Sequence, residues 1–289
     1  MAQFAFEAIG THWQIDISDA LTPEGEARVL SAIRDRIAQF DKDYSRFRDD
    51  SLVMEMSRKA GEYRLPDDAQ PMFDLYRDLY LVTHGAMTPL IGQVLVDAGY
   101  DAAYSLKSKE LHPPPAWDDA LEYEYPRLTV KRPAILDVGA AGKGYLIDLV
   151  AQVIQSFGIR SFCVDAGGDI LQKDTNGVPL RIGLEHPEHA EQVIGVASIA
   201  NQSLCGSAGN RRTWGKYHHI IDPRTLESPR EILAVWTVAP TALIADALTT
   251  CLFFVEPTLL DDYVFEYLIV YKDYSIKKSP NFPAELFER

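Results

Sequence analysis

The chain has 289 residues and a mass of 32.4 kDa, enough for one large domain or two ordinary ones. Its 47% hydrophobic and 24% charged residues are ordinary globular composition and exclude a disordered or fibrous chain. Against 42 acidic residues stand 28 basic ones, and the formal net charge of -14 argues against nucleic-acid or anionic-membrane binding while leaving room for a small anionic ligand in a local pocket.

Residues 3–17 interleave Phe, Ile and Trp with polar positions and predict a strand or hairpin. Thr22-Pro23-Glu24 is a helix start, with a capping hydroxyl, a proline at the first helical position and an acid in the first turn. Val29, Leu30, Ile33, Ile37 and Phe40 continue at helical spacing. After polar DKDYSRFRDDS, Asp67 and Asp68 are candidate caps for a second helix whose core face is Met72, Leu75, Tyr76, Leu79 and Tyr80. Residues 108–120 hold Pro113-Pro114-Pro115 and predict a surface connection.

Further on, LTV and AILDV predict strands, and the apolar spacing from Leu146 to Phe157 predicts a helix over 145–157. SFCVDAGGDI reads as a strand running into paired glycines. LRIGLEHP, VIGVASI, YHHIIDP and AVWTVAP read as further strands, 241–255 as a helix, and FEYLIVY as the last strand. Several consecutive strands between helices indicate an α+β fold rather than strict βαβ alternation. From 232 to 255 the only charge is Asp246, a length that would span a bilayer, but Pro240 and the alternation of AVWTVAP predict a buried strand, a turn and a helix. No integral membrane segment is expected.

Cys163, Cys205 and Cys251 are an odd number with no close pair, neither a disulfide framework nor a CxxC metal site, and Cys163 and Cys251 are expected to be buried thiols. The N-terminus as it stands has no basic region and no long apolar core, so the expectation is a cytoplasmic protein, or a periplasmic one if the N-terminus has been trimmed.

Four segments carry chemistry. Asp137-Val-Gly-Ala-Ala-Gly-Lys143-Gly fails as a P-loop, which needs Gly where Asp137 stands and Ser or Thr where Gly144 stands, and its glycines do not follow GxGxxG. What remains is a glycine-rich turn into a helix N-terminus with one lysine, suited to an anion or to an ordinary tight turn. In Asp165-Ala-Gly167-Gly168-Asp169 the glycines let a backbone or a flat ligand come close, or simply make a turn. Asp246 and Thr250 are four apart on one helix face, a carboxylate and a hydroxyl that suit a hard cation such as Mg2+, or a buried acid bonded to backbone. Arg211 and Arg212, after Ser207-Ala-Gly, suit a phosphate or form an ordinary solvated basic turn, and in a strand His218 and His219 point to opposite faces, so that one could face a cleft while the other is structural. His186 and His189 are separated by Pro187 and read as loop residues, not metal ligands.

Taken in order, these segments resemble the ApbE family, the FAD:protein FMN transferases. The resemblance rests on AIGTHWQI, YSRFRDDS, LDVGAAGKGYLID, VDAGGDI, GSAGNRRTW with YHHIIDPRT, ADALTTCLF and SPNFPAELF, which together cover nearly the whole chain. It implies a single domain over 1–289, with approximate subdomains 1–120 and 121–289 packed around a flavin cleft. It implies Mg2+ as cofactor and FAD as substrate, with FMN moved onto a Thr or Ser hydroxyl of a partner flavoprotein and AMP released. Hydrolysis of FAD to FMN and AMP, or flavin binding without turnover, are the alternatives. By position, Asp246, Thr250 and a backbone carbonyl at Ala140 would hold the metal. His219 would be a base or orienting group at the attacking hydroxyl, Asp246 would be catalytic as well as a metal ligand, and Ser45, Gly85, Lys143, Gly167, Gly168, Asp169, Ser207 and Arg211 would line the flavin site. No nucleic-acid partner is implied. The chain departs from the family pattern at Thr88 and Leu90, where Asp and Thr are usual, at Ala208 for Ser, at Ser57 for Asn and at Leu226 for Gly.

Overall fold

The computed structural model describes residues 2–210 and 212–287. Strands β1 (Ala2–Ala8) and β2 (Thr11–Ile17) form the predicted hairpin and bury Phe4, Trp13, Ile15 and Ile17. Helix α1 (Pro23–Tyr44) begins where the sequence places it: the Thr22 hydroxyl accepts from the Gly25 N–H at 3.1 Å and Pro23 opens the helix. Helix α2 (Leu52–Arg58) and strand β3 (Gly61–Arg64), which follow the polar stretch DKDYSRFRDDS and are not anticipated from the sequence, precede α3 (Gln70–Val82). Helix α3 buries Met72, Leu75, Tyr76 and Leu79, but neither Asp67 nor Asp68 caps it. Arginines have taken those carboxylates: Asp68 pairs with Arg36 of α1, and Asp67 with Arg64.

A 3-10 turn at Pro89–Ile91 leads into α4 (Gly92–Ala98). The proline-rich connection does not stay on the surface, because it ends in α5 (Trp117–Ala120), whose Trp117 is fully buried. Strands β4 (Leu121–Glu124) and β5 (Arg127–Val130) follow, and β5 contains LTV. AILDV forms no strand; the Asp137 N–H is given to the Pro89 carbonyl at 2.7 Å, tying this segment to the 3-10 turn instead of to a sheet. Helix α6 (Gly139–Ser156) then starts earlier than the apolar spacing predicts, so the glycine-rich segment is the first turn of the helix and not a loop before it.

The remaining elements are β6 (Phe162–Ala166), β7 (Asp169–Lys173), β8 (Leu180–His186), β9 (His189–Ile199), β10 (Ser203–Ala208), β11 (Thr213–Trp214), β12 (Tyr217–His218), β13 (Ile232–Ala239), α7 (Ala242–Cys251), β14 (Glu266–Tyr271), β15 (Ile276–Lys278) and β16 (Ala284–Leu286). FEYLIVY is therefore not the last strand, and YHHIIDP forms a strand only over Tyr217–His218, with a single further bridge from Asp222 to Glu227. Residues 232–255 are the expected strand, turn and helix, and among the described residues no helix is long and apolar enough to cross a membrane. His186 and His189 close the β8–β9 hairpin as paired residues.

Eight strands make one antiparallel sheet in the order β1-β2-β6-β7-β10-β13-β14-β15, which is also their order along the chain. Alternation gives the sheet two apolar faces. Val164, Leu171, Cys205, Val235 and Ile269 face the main core, shared with α1, α3, α6 and α7. Ile170, Leu204, Ala234, Trp236, Leu268 and Val270 face a second core, covered by the small sheet β16-β9-β8 through Leu184, Ala197 and Ile199. The result is an α+β architecture of helices, a central sheet and a small sheet. Pairing crosses residue 120 in two places, β2 with β6 and β3 with β5. Cys205 and Cys251 are buried, while Cys163, expected to be buried, is half-buried because its side of β6 is only partly covered.

Candidate functional site

The glycines of α6 are explained by α7. A Cβ at Gly144 would lie 2.1 Å from the Ala242 carbonyl oxygen and 2.6 Å from the Asp246 Cβ, so only glycine allows the two helices to approach this closely. Three hydrogen bonds, to one carboxylate from each helix, fasten them. The Gly144 N–H donates to Asp246 Oδ2 at 2.8 Å, and Asp148, one helical turn further along α6, accepts from the Ala242 and Leu243 N–H groups at 2.9 and 2.8 Å. Asp148 thus shares the capping of α7 with the Thr241 hydroxyl. Burial pushes the Asp148 carboxyl up to about 6, against the pull of those two N–H groups. Burial likewise raises Asp246 above the usual carboxylate range, opposed by Lys143 and the Gly144 N–H. In a regular helix the Gly144 N–H serves the Ala140 carbonyl; its bond to Asp246 brings the carboxylate to the turn that carries that carbonyl.

Ala140, Asp246 and Thr250 all line one cleft of about 880 Å³, within the range of small-molecule and cofactor sites. Carboxylate, hydroxyl and carbonyl are hard oxygen donors that fit Mg2+. Among the described residues no group of three or more His, Cys, Asp or Glu is placed to hold a metal, so a cation here would rest on one carboxylate and draw its other ligands from backbone, hydroxyl, water or a ligand's oxygens. Lys143 also lines the cleft and ion-pairs with Asp169, whose Oδ1 accepts from the Gly206 N–H at 2.9 Å. Asp169 itself is almost fully buried behind the wall, holding the lysine and β10 in place.

Gly167 and Gly168 form the β6–β7 hairpin turn on the cleft wall, at φ +67° and +95°. The Gly168 N–H donates to Asp165 at 2.8 Å. A Cβ at Gly167 would meet the Thr11 hydroxyl at 2.1 Å, so the first hairpin and this turn close on each other. Ser207 lines the cleft with its hydroxyl 2.8 Å from that of Thr249, and because Thr249 donates to the Asp246 carbonyl, Ser207 is the donor between them. Ser45 is on the wall as well. Gly85 is not; its neighbours Ala86, Met87 and Thr88 supply that stretch, and Gly85 at φ +84° makes the turn that delivers them. Arg211 lies outside the described residues, and Arg212 beside it lines the cleft with Nη1 donating to the Tyr100 hydroxyl at 2.7 Å.

The two histidines take different roles, although only His218 lies in a strand and His219 follows just beyond β12. His218 is structural: Nε2 donates to the Pro229 carbonyl at 2.8 Å and Nδ1 accepts from the Ile220 N–H at 3.3 Å. His219 lines the cleft, and its buried Nδ1 has no partner among the described residues. Burial, with Arg212 and His218 nearby, pushes its imidazole down to about 3, so it is neutral at physiological pH. Sequence reasoning missed Asp148 and Arg46. Both stood in motifs the sequence displays, Asp148 at the end of LDVGAAGKGYLID and Arg46 beside Ser45 in the S-R-F element, but the contact of Asp148 with the start of α7 leaves no local signal.

A sequence profile described as the ApbE family matches residues 9–265. The chain is 25% identical to the FAD:protein FMN transferase of Klebsiella pneumoniae (strain 342), over 96% of this chain and 87% of that one. It is 24% identical to the FAD:protein FMN transferase of Rhodobacter capsulatus, over 86% of this chain and 50% of the other. Among solved structures, the ApbE protein of Thermotoga maritima superposes with a TM-score of 0.83 at 22% identity, covering 98% of this chain and 99% of that one. Flavin transferase ApbE from Vibrio cholerae gives 0.80 at 20% identity, covering 96% of each. These two likenesses establish the fold.

Proposed function

The chain belongs to the ApbE family, and from that premise we propose that it transfers the FMN half of FAD to a Thr or Ser hydroxyl of a partner flavoprotein, releases AMP and uses Mg2+. One observation carries the reading: a buried carboxylate, Asp246, meets the glycine-rich first turn of α6 inside a cleft large enough for a dinucleotide. Asp246, Thr250 and the Ala140 carbonyl would hold Mg2+, which when bound offsets charge on the pyrophosphate oxygens. Lys143, anchored by Asp169, adds a cation that does not need to reorganise during the reaction. The backbone N–H groups at the start of α6 favour an anion there. Gly168, where a Cβ would meet nothing within 4 Å, keeps the cleft wall open, and Gly167 lets the turn sit against Thr11. His219 enters neutral and accepts the proton of the attacking hydroxyl as its oxygen bonds to the FMN phosphorus and AMP leaves.

Thr88 and Ala208, both on the cleft wall, replace residues usual in the family, which favours a second reading in which water replaces the protein hydroxyl and FAD is hydrolysed to FMN and AMP. The test is to incubate the protein with FAD and Mg2+, with and without EDTA, and with and without a flavoprotein acceptor. AMP release that EDTA abolishes, together with flavin covalently attached to the acceptor, is the expected result. AMP with free FMN and no labelled acceptor selects hydrolysis. Absence of AMP under every condition refutes both.

A further inference from the structure

Arg46 lines the cleft although its side chain is only 3% exposed. Its nitrogens have different fates. Nε ion-pairs with Asp137, and Nη1 donates to the Tyr100 carbonyl at 2.8 Å. Nη2 is buried and meets no acceptor among the described residues. The guanidinium carbon lies 4.2 Å from the centre of the Phe47 ring and 4.9 Å from that of Tyr100, so aromatic rings wall the group in. A buried donor without an acceptor is costly, and a buried charged one more so. Because Arg46 lines the cleft, a molecule that fills the cleft is placed to supply that acceptor.

The surroundings say what kind of acceptor fits. Asp137 already balances the guanidinium charge, so the free N–H groups are directional donors more than a counter-charge for phosphate. Phe47 and Tyr100 beside them make an apolar, flat-sided setting suited to a heteroaromatic ring. A guanidinium reads the acceptor edge of such a ring well, as arginine does with base edges in nucleic acids. Resting on the flavin-nucleotide reading above, we infer that Arg46 Nη2 donates to a carbonyl oxygen or ring nitrogen on the edge of a ring of the bound nucleotide, which makes Arg46 a specificity residue of this cleft. FAD has two rings with such edges, isoalloxazine and adenine.

The test measures dissociation constants of riboflavin, FMN, adenosine, AMP and inorganic pyrophosphate for the wild-type protein and for Arg46→Lys. Lysine keeps a charge opposite Asp137 but has no Nη2. The expected result is a loss of about tenfold to a hundredfold for riboflavin and FMN alike, or for adenosine and AMP alike, with pyrophosphate unchanged; the affected pair identifies the ring. Wild-type affinities throughout in a normally melting Arg46→Lys protein overturn the inference. So does a loss that follows the phosphate, seen with FMN and not with riboflavin. If Arg46→Lys does not fold, Arg46→Met combined with Asp137→Asn removes both charges and is read in the same way. A wild-type protein that binds none of the flavin or adenine compounds overturns the flavin reading and this inference together, whereas normal binding unaffected by the Arg46 variants overturns the inference alone.

Discussion

Replacing Gly144 with alanine tests the contact on which the cleft is built. The new Cβ would stand 2.1 Å from the Ala242 carbonyl oxygen and 2.6 Å from both its carbon and the Asp246 Cβ. Two of these neighbours are backbone atoms, so α6 and α7 must part. Overpacking of this kind costs about 1–3 kcal/mol. Parting the helices also stretches the Gly144 N–H bond to the Asp246 carboxylate, a bond to a charged group worth about 1.5–3 kcal/mol. Alanine's better helix propensity returns about 1 kcal/mol. The net expectation is a loss of about 1.5–5 kcal/mol, a large share of the roughly 5–15 kcal/mol that stabilises a typical domain. Urea unfolding followed by tryptophan fluorescence measures it, and release of AMP from FAD reports whether Asp246 has shifted. Gly25→Ala is the control, because a Cβ there meets nothing nearer than 3.4 Å and should be neutral or stabilise by up to about 1 kcal/mol. A Gly144→Ala protein with an unchanged urea midpoint and full FAD turnover would refute the close-packing argument.

Asp246→Asn keeps an oxygen for the Gly144 N–H but removes the charge, so stability in EDTA should stay within about 1 kcal/mol of wild type or rise, while Mg2+-dependent AMP release falls at least about a hundredfold; retained activity would show that the carboxylate is only a structural acceptor. The raised folded-state value of Asp148, about 6 against an ordinary 3.8, has a definite sign. The protonated form is favoured in the folded state, so its contribution is fully present below pH ~3.8 and lost as pH rises through about 6, at most about 3 kcal/mol. In EDTA, Asp148→Asn should therefore flatten the change in urea midpoint between pH ~4 and ~7 relative to wild type; parallel curves for the two proteins would contradict it.

Much of the fold could be read locally. The Thr22-Pro23 start of α1, the apolar stripe of α3 and the strand-turn-helix of 232–255 follow from residue types whose preferences act within a few positions. The failures have a shared cause. AILDV has strand composition, yet the Asp137 N–H is given to Pro89 and no sheet edge takes the segment up. The first turn of α6 reads as a loop because glycine is a poor helix former, but packing against α7 makes glycine the residue that fits. Asp67 and Asp68 have capping chemistry, and distant and near arginines took it up instead.

The same division runs through the site. The order of its motifs and the i and i+4 spacing of Asp246 and Thr250 are properties of the chain alone, since the helix period fixes which neighbours share a face. Tertiary structure decided that Asp246 meets Gly144, 102 residues away, that Asp148 caps α7, that Gly85 only delivers the wall that Ala86–Thr88 form, and that Arg46 keeps a buried donor without an acceptor among the described residues. Those outcomes depend on which elements pack together and on how closely, and such long-range contacts leave no periodicity in the sequence that could announce them.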